Sequence, residues 1–224
     1  MPARTLLETL KAGRIPLWLK LAYTAFMAVL IPVYWANYGP SNFLYFCDVA
    51  LLVTLAGIWR EDALLISMPA VGILAPQVLW VVDYAAHFVG LSPTGMTDYM
   101  FDSSKSLFLR GLSLFHGWLP FLLVYLVVRV GYDRRAFAAW TVLAWGLLLV
   151  CYLFMPPPMP NPGDAAVNIN YVHGMSDTAA QSWMPPLAWL ATLMAALPVV
   201  MFAPVHVLLS KWKRSRRDGG LLAA

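Results

Sequence analysis

Charge is what this 224-residue chain has least of. Asp, Glu, Lys and Arg together make up 12% of it, about half of what a soluble domain of this size carries. Cysteine is also scarce: Cys47 and Cys151 are the only two. That excludes a disulfide-built scaffold and a cysteine-rich zinc ribbon. Both are expected within helices rather than loops, which argues against a bridge between them. The sequence has no CxxC, no P-loop and no GxGxxG, so the usual nucleotide and dinucleotide sites have no support. It has no HExxH or HxxxH either, and no internal repeat. A cleavable signal peptide is not expected, because the first apolar run starts late, is too long and lacks a small-residue cleavage site.

What remains is apolar. The chain is 61% hydrophobic, with a mean hydropathy of +0.68. Long apolar runs fall at about Leu17–Trp35, Phe43–Trp59, Ala63–Val89, Leu107–Val128, Phe137–Met155 and Trp183–Leu209. Each is near the roughly 20 residues that span a bilayer's hydrocarbon. None has the polar stripe of a soluble bundle helix. Trp18, Trp35, Trp59, Trp183 and Tyr132 fall near the expected boundaries, as an aromatic belt would.

The polar segments between the runs alternate in character. The N-terminal tail carries Arg4, Lys11 and Arg14, and residues 37–42 carry no charge. Arg60 follows with Glu61 and Asp62, then Asp98, Asp102 and Lys105, then Arg129, Arg134 and Arg135 with Asp133. The connection around Asp164 and Asp177 has no Lys or Arg, and the C-terminal tail carries Lys211, Lys213, Arg214, Arg216 and Arg217. This is the positive-inside pattern. It predicts an all-α fold: one polytopic helical membrane bundle over residues 1–224, with six transmembrane helices and both termini cytoplasmic. The expected location is the bacterial cytoplasmic (inner) membrane. The net charge of +4 sits at membrane flanks, so the expected partner is membrane lipid and not nucleic acid.

Proline punctuates the runs. Pro69 and Pro76, on either side of Gly72, predict a kinked third helix. The connection from Met155 to Ser182 is long enough to suggest a functional loop. Residues Ser92–Ser106 are expected to form a short surface helix on the same side.

Ionisable residues inside spans are costly and mark function by default. The second span carries Cys47 and Asp48. The third carries Gln77, Asp83 and His87, with Asp83 and His87 four apart on one face. The fourth carries Arg110 and His116. Running each helix in its expected direction puts Asp48, Asp83, His87, Arg110 and His116 in the outer half, beside Asn168, Asn170, Tyr171 and His173. His206 lies near the cytoplasmic end. Plainer roles fit some of these equally: Asp83 with Arg110 as a structural ion pair, His87 as a solvated interfacial ring, Cys47 as a packing residue. Asp48 and His116 are harder to dismiss, since a lone carboxylate or imidazole in an apolar span needs a partner. Cysteine with histidine suits a thiolate nucleophile and its base, with Asp orienting the ring. Three His and two Asp would also suit a metal that activates water. Spacing does not decide between these.

Three segments carry a family resemblance: Asn42-Phe-Leu-Tyr-Phe-Cys-Asp-Val-Ala-Leu-Leu, Phe115-His-Gly-Trp-Leu-Pro, and Asn168-Ile-Asn-Tyr-Val-His-Gly leading to Ser182-Trp-Met-Pro-Pro-Leu-Ala-Trp. In this order they resemble the bacterial YwaF-like integral membrane family, over about residues 40–210. Its animal branch is similar to a transmembrane acyltransferase that moves fatty acyl chains between phospholipids, with an essential intramembrane Cys and His. The resemblance implies those roles for Cys47 and His116. The resulting expectation is a lipid acyltransferase or lipid ester hydrolase open to the outer leaflet. Cys47 would be the nucleophile and His116 the base, with Asp48 or Asp83 orienting it. Asn168, Asn170 or Tyr171 would bond the oxyanion or head group, and no cofactor or metal would be needed. The alternatives are a small-molecule transporter or binding subunit using the same pocket, or a metal-dependent hydrolase holding its ion with His87, His116, Asp48 and Asp83.

Overall fold

The computed structural model describes residues 14–161 and 166–221, with side chains as far as Trp212. Among these residues every regular element is helical. In chain order they are α1 (Leu17–Tyr38), α2 (Phe46–Arg60), α3 (Ala63–His87), α4 (Leu107–Ser113), α5 (Phe115–Val130), α6 (Ala136–Phe154), α7 (Pro186–Ala196) and α8 (Ala203–Leu221). Five stretches are long and apolar enough to cross a membrane: Leu17–Tyr38, Ala63–His87, Leu107–Val130, Ala136–Phe154 and Pro186–Trp212. The chain is an integral membrane protein built as a helical bundle.

The second expected span is shorter than the sequence suggested. Pro40–Leu44 forms a 3-10 turn, so α2 starts at Phe46 and has 15 residues. At 1.5 Å per residue it is about 22 Å long, under the roughly 30 Å of hydrocarbon. Its far end nevertheless reaches the start of α1. Glu61 accepts from the backbone N–H of Arg14 (2.8 Å) and Ile15 (3.2 Å) and from Lys20 Nζ (2.8 Å), and its own carbonyl accepts from Arg14 Nη2. Arg14 also donates to the Val130 carbonyl, and Arg129 to the Arg14 carbonyl, so the end of α5 lies at the same level. Asp133 N donates to Ser67 Oγ, and the Tyr132 hydroxyl meets His206 Nδ1 at 2.6 Å, which brings in the starts of α3, α6 and α8. We call this the basic end. The long connections 88–106 and 155–185 gather at the opposite, loop end.

The turn between α2 and α3 is two residues long. Glu61 takes the left-handed conformation (φ 50°) that ends α2, and Asp62 caps α3 by accepting from Leu65 N at 2.9 Å. Helix α3 is the central and most buried span, packed against α2, α5 and α6. It stays one continuous α-helix through Pro69 and Pro76. The buried Trp140 of α6 lies flat on Gly72, where a Cβ would run into the indole. The last span is interrupted. Pro198 offers no N–H to the Met194 carbonyl four residues earlier, and the chain widens into a π turn over Leu197–Phe202. Trp145 Nε1 donates to the freed Met194 carbonyl at 2.7 Å, as backbone in an apolar medium requires. Residues 92–106 hold only a 3-10 turn at Asp98–Met100 among bends, not the expected surface helix.

Glu61 answers a buried cation, since Lys20 is 3% exposed. Burial alone would raise the Glu61 pKa, but the bonds from Lys20, Arg14 and Ile15 hold it below the usual glutamate value. A depressed carboxylate contributes stability above its unfolded-state value, and that contribution is lost as pH falls through the folded-state value. Glu61→Gln strands Lys20 and is expected to cost about 3–5 kcal/mol. Adding Lys20→Met should recover most of that. Thermal unfolding in detergent at neutral pH checks both, and the wild-type advantage over Glu61→Gln should shrink on acidification below the usual glutamate range.

Candidate functional site

The loop end holds most of the polar side chains that lie at membrane depth. Asp48, in the first turn of α2, is 3% exposed. Its Oδ2 accepts from Asn42 Nδ2 (3.2 Å) and from the Cys47 thiol (3.8 Å). Among the described residues no protein group bonds Oδ1. A buried carboxylate with one free oxygen, next to a thiol, is unusual chemistry for a lipid-embedded helix. Cys47 is half-buried and both cysteines are free.

His116 is the second residue of α5. Its Nδ1 meets Gln77 Oε1 of α3 at 2.9 Å. Because a side-chain amide oxygen only accepts, Nδ1 carries the proton and Nε2 keeps its lone pair. Trp80 (centroids 5.0 Å apart) and Phe115 (4.1 Å) both stack on the ring. Gln77, not Asp48 or Asp83, therefore orients the imidazole, and the Cys47 thiol points to Asp48 rather than to His116. Near both is a separate bonded set: Tyr34 on Ser113 at 2.8 Å, and Trp80 on Tyr99 at 3.3 Å, with Tyr99 also beside Ser113.

The other expected residues serve the loops. Asp83 takes three bonds, from Thr94 N, Thr97 N and Thr97 Oγ1 (2.6–3.0 Å), and so pins the connection that follows α3. Arg110 donates to the Met100 carbonyl and does not form the expected pair with Asp83. His87 meets Asp98 at 2.9 Å and stacks on Phe101. Asn168 binds the Gly174 and Ser176 carbonyls and accepts from His173 N. Asn170 accepts from Phe46 N (3.0 Å), and its amide donates to the Leu44 carbonyl (2.9 Å) and toward Cys151 Sγ. It thereby fixes the start of α2, one residue from Cys47. Asn168, Asn170 and Tyr171 all have positive φ (46°, 58° and 61°), strain that the bonds of the two asparagines hold in place. The Tyr171 carbonyl accepts from Trp189 Nε1. His173 stacks on Tyr152, and burial lowers its pKa. Asp164 lies outside the described residues.

His87, His116, Asp48 and Asp83 thus answer to four different sets of partners. Among the described residues no three His, Cys, Asp or Glu side chains group as a metal site. Gln77, Asn42, Tyr34, Ser113 and Tyr99 join the site without having been singled out for it. Only Gln77 was legible beforehand, as a polar residue in an apolar span.

No family model matches the chain, and no match is found among curated proteins or solved structures.

Asn170→Ala leaves the Phe46 N–H and Leu44 carbonyl unpaired. It is expected to lower stability by about 1–3 kcal/mol, read by thermal unfolding. Full stability with lost activity would instead put the amide on a substrate.

Proposed function

We propose that this protein performs acyl chemistry on a membrane lipid ester, as an acyltransferase or a hydrolase, in the bacterial cytoplasmic membrane. The observation that carries the reading is the Cys47 thiol directed at the buried Asp48 carboxylate in the loop-end half. His116, held by Gln77 with Nε2 free, supports it. The resemblance to the YwaF-like family points to the same cysteine and histidine. Cys47 Sγ attacks the acyl carbonyl carbon. Its proton passes to Asp48 and then to the departing oxygen, which leaves as the lyso-lipid, with a thioester on Cys47. An incoming hydroxyl, from water or a second lyso-lipid, gives its proton to His116 Nε2 as its oxygen attacks the thioester. That proton returns to sulfur as the Cys47 thiol reforms.

The topology proposed with this reading has six passages and both termini in the cytoplasm. In it α2 crosses together with the 3-10 turn before it. Supporting this are the basic-end contacts, which tie residue 14 to residue 61 and to residues 129–130. The loop end then faces outward. Reporter fusions that are active only in the cytoplasm should work at both termini and after Arg135, and fail after Thr94. A termini-opposed result would sink the six-pass arrangement.

The chemical test is expression of wild type, Cys47→Ala and His116→Ala at matched levels, with membrane lipids compared by mass spectrometry. Wild type should shift acyl composition or lyso-lipid. Cys47→Ala should abolish the shift, and His116→Ala should weaken it by about 10²–10⁴-fold, as loss of a general base does. Identical profiles in all three would overturn lipid chemistry and favour transport through the same residues.

A further inference from the structure

The basic end carries a cavity that the acyl chemistry does not use. It measures about 200 Å³ and is lined by Arg134, His206, Val207, Ser210 and Lys211. The charges around it are unevenly satisfied. Glu61 serves Arg14 and Lys20, and Asp133 serves Arg135 at 2.7 Å. Among the described residues no carboxylate within ion-pair distance is assigned to Arg134 or Lys211, and both are exposed. The cavity wall adds hydrogen-bonding groups. Ser210 lies beside the Tyr132 hydroxyl, which also holds His206 Nδ1 at 2.6 Å. Two free cations, one in the turn between α5 and α6 and one on α8, converge on a recess with a hydroxyl and an imidazole and form a receptor for a compact anion rather than a merely solvated surface.

Position narrows the ligand. Lys211 stands one residue before the end of the last apolar stretch, at Trp212. The exposed Val207 and Leu208 lie just below it on α8. The recess therefore opens where polar head groups meet hydrocarbon, and basic pockets between spans at that depth suit phosphate-bearing head groups. We propose that this cavity binds a phosphate group, with the glycerophosphate head of an anionic phospholipid as its source. The site is independent of the acyl chemistry at the loop end, about a membrane thickness away.

Purified protein in nanodiscs of phosphatidylcholine with a minor fraction of phosphatidylglycerol provides the test, with retained lipid counted by native mass spectrometry after detergent release. Wild type should retain phosphatidylglycerol selectively. Arg134→Gln and Lys211→Gln should each cut retention about fivefold, the effect of one basic contact near an anionic head group. Arg129→Gln removes one charge from the same end, but that side chain bonds a backbone carbonyl outside the cavity, and its variant should retain lipid like wild type. Val207→Trp, which fills the recess without changing charge, should also lose retention while its unfolding temperature stays near wild type. Inorganic phosphate at millimolar concentration separates the two sources. Release of the lipid by phosphate assigns the site to phosphate itself, and resistance to it assigns the site to the lipid. Equal losses in the Arg129, Arg134 and Lys211 variants would reduce the effect to general surface charge and overturn the proposal, as would no selective retention.

Discussion

One carboxylate holds the first three helices in register. Glu61 sits in the two-residue turn between α2 and α3, yet its bonds all run to the start of α1. A buried Lys20 requires it, because a lone ammonium at that depth would be intolerable. The backbone N–H groups of Arg14 and Ile15, just ahead of α1, also take it as their acceptor. By meeting both, Glu61 sets the level of α1 against α2. The same Arg14 then reaches Val130, so the level of α5 follows. The depth of Asp48 and His116 at the other end is a consequence: both helices are positioned from the basic end.

The rest of the bundle follows the same rule of satisfied polar groups. Pro198 frees a carbonyl and Trp145 takes it. Asp83 would be an unpaired charge near the end of α3, and the Thr94–Thr97 turn folds back to cover it. Asn170 answers the open N-terminus of α2 from 124 residues away. Much of the polar content that could pass for a binding site is therefore committed to the fold. Among the groups left uncommitted at the loop end are Asp48 Oδ1, Arg110 Nε and His173 Nε2, and the Nε2 of His116, whose bond is through Nδ1. A functional reading rests most safely on such leftovers, because structure has no use for them.

The sequence made depth legible and left rotation hidden. Apolar run length and the sign of the intervening charges place each residue along the membrane normal to within a turn, since every helical residue advances 1.5 Å. That is why Asp48, His116, Arg110 and the Asn168–His173 loop were expected at one end. Which side of a helix faces a neighbour is a different matter. In water the apolar stripe reveals it. In lipid both faces are apolar, and the stripe is gone. Asp83 and Arg110 share a depth but not a face, so the expected pair does not form, while Gln77 and His116 share both. Lys20 escaped notice for a related reason: near a span's end a lysine ordinarily extends to water, and only the fold reveals that it turns inward to Glu61. The shortness of α2 was legible in part, because Pro40 and the uncharged 37–42 turn limit where a helix can start. The π turn at Pro198 was not, because membrane prolines are resolved by whichever neighbour is at hand.

The two candidate residues also differ in what holds them in place. At the loop end the nucleophile candidate sits on the first turn of a short helix whose start depends on one loop asparagine, itself in a left-handed conformation. The position of Cys47 therefore depends on the Asn170 contacts to Phe46 and Leu44. His116, by contrast, belongs to α5 and is held by α3, the most buried span. Under the proposed acyl transfer, the thiol is placed by a loop contact and the base by the most buried span. In that proposed reaction the thiol would leave Asp48 for a carbonyl in the bilayer, and the base would act only on the second hydroxyl. The proposed two-step reaction needs no preformed Cys47–His116 bond, because in it the two residues act on different partners.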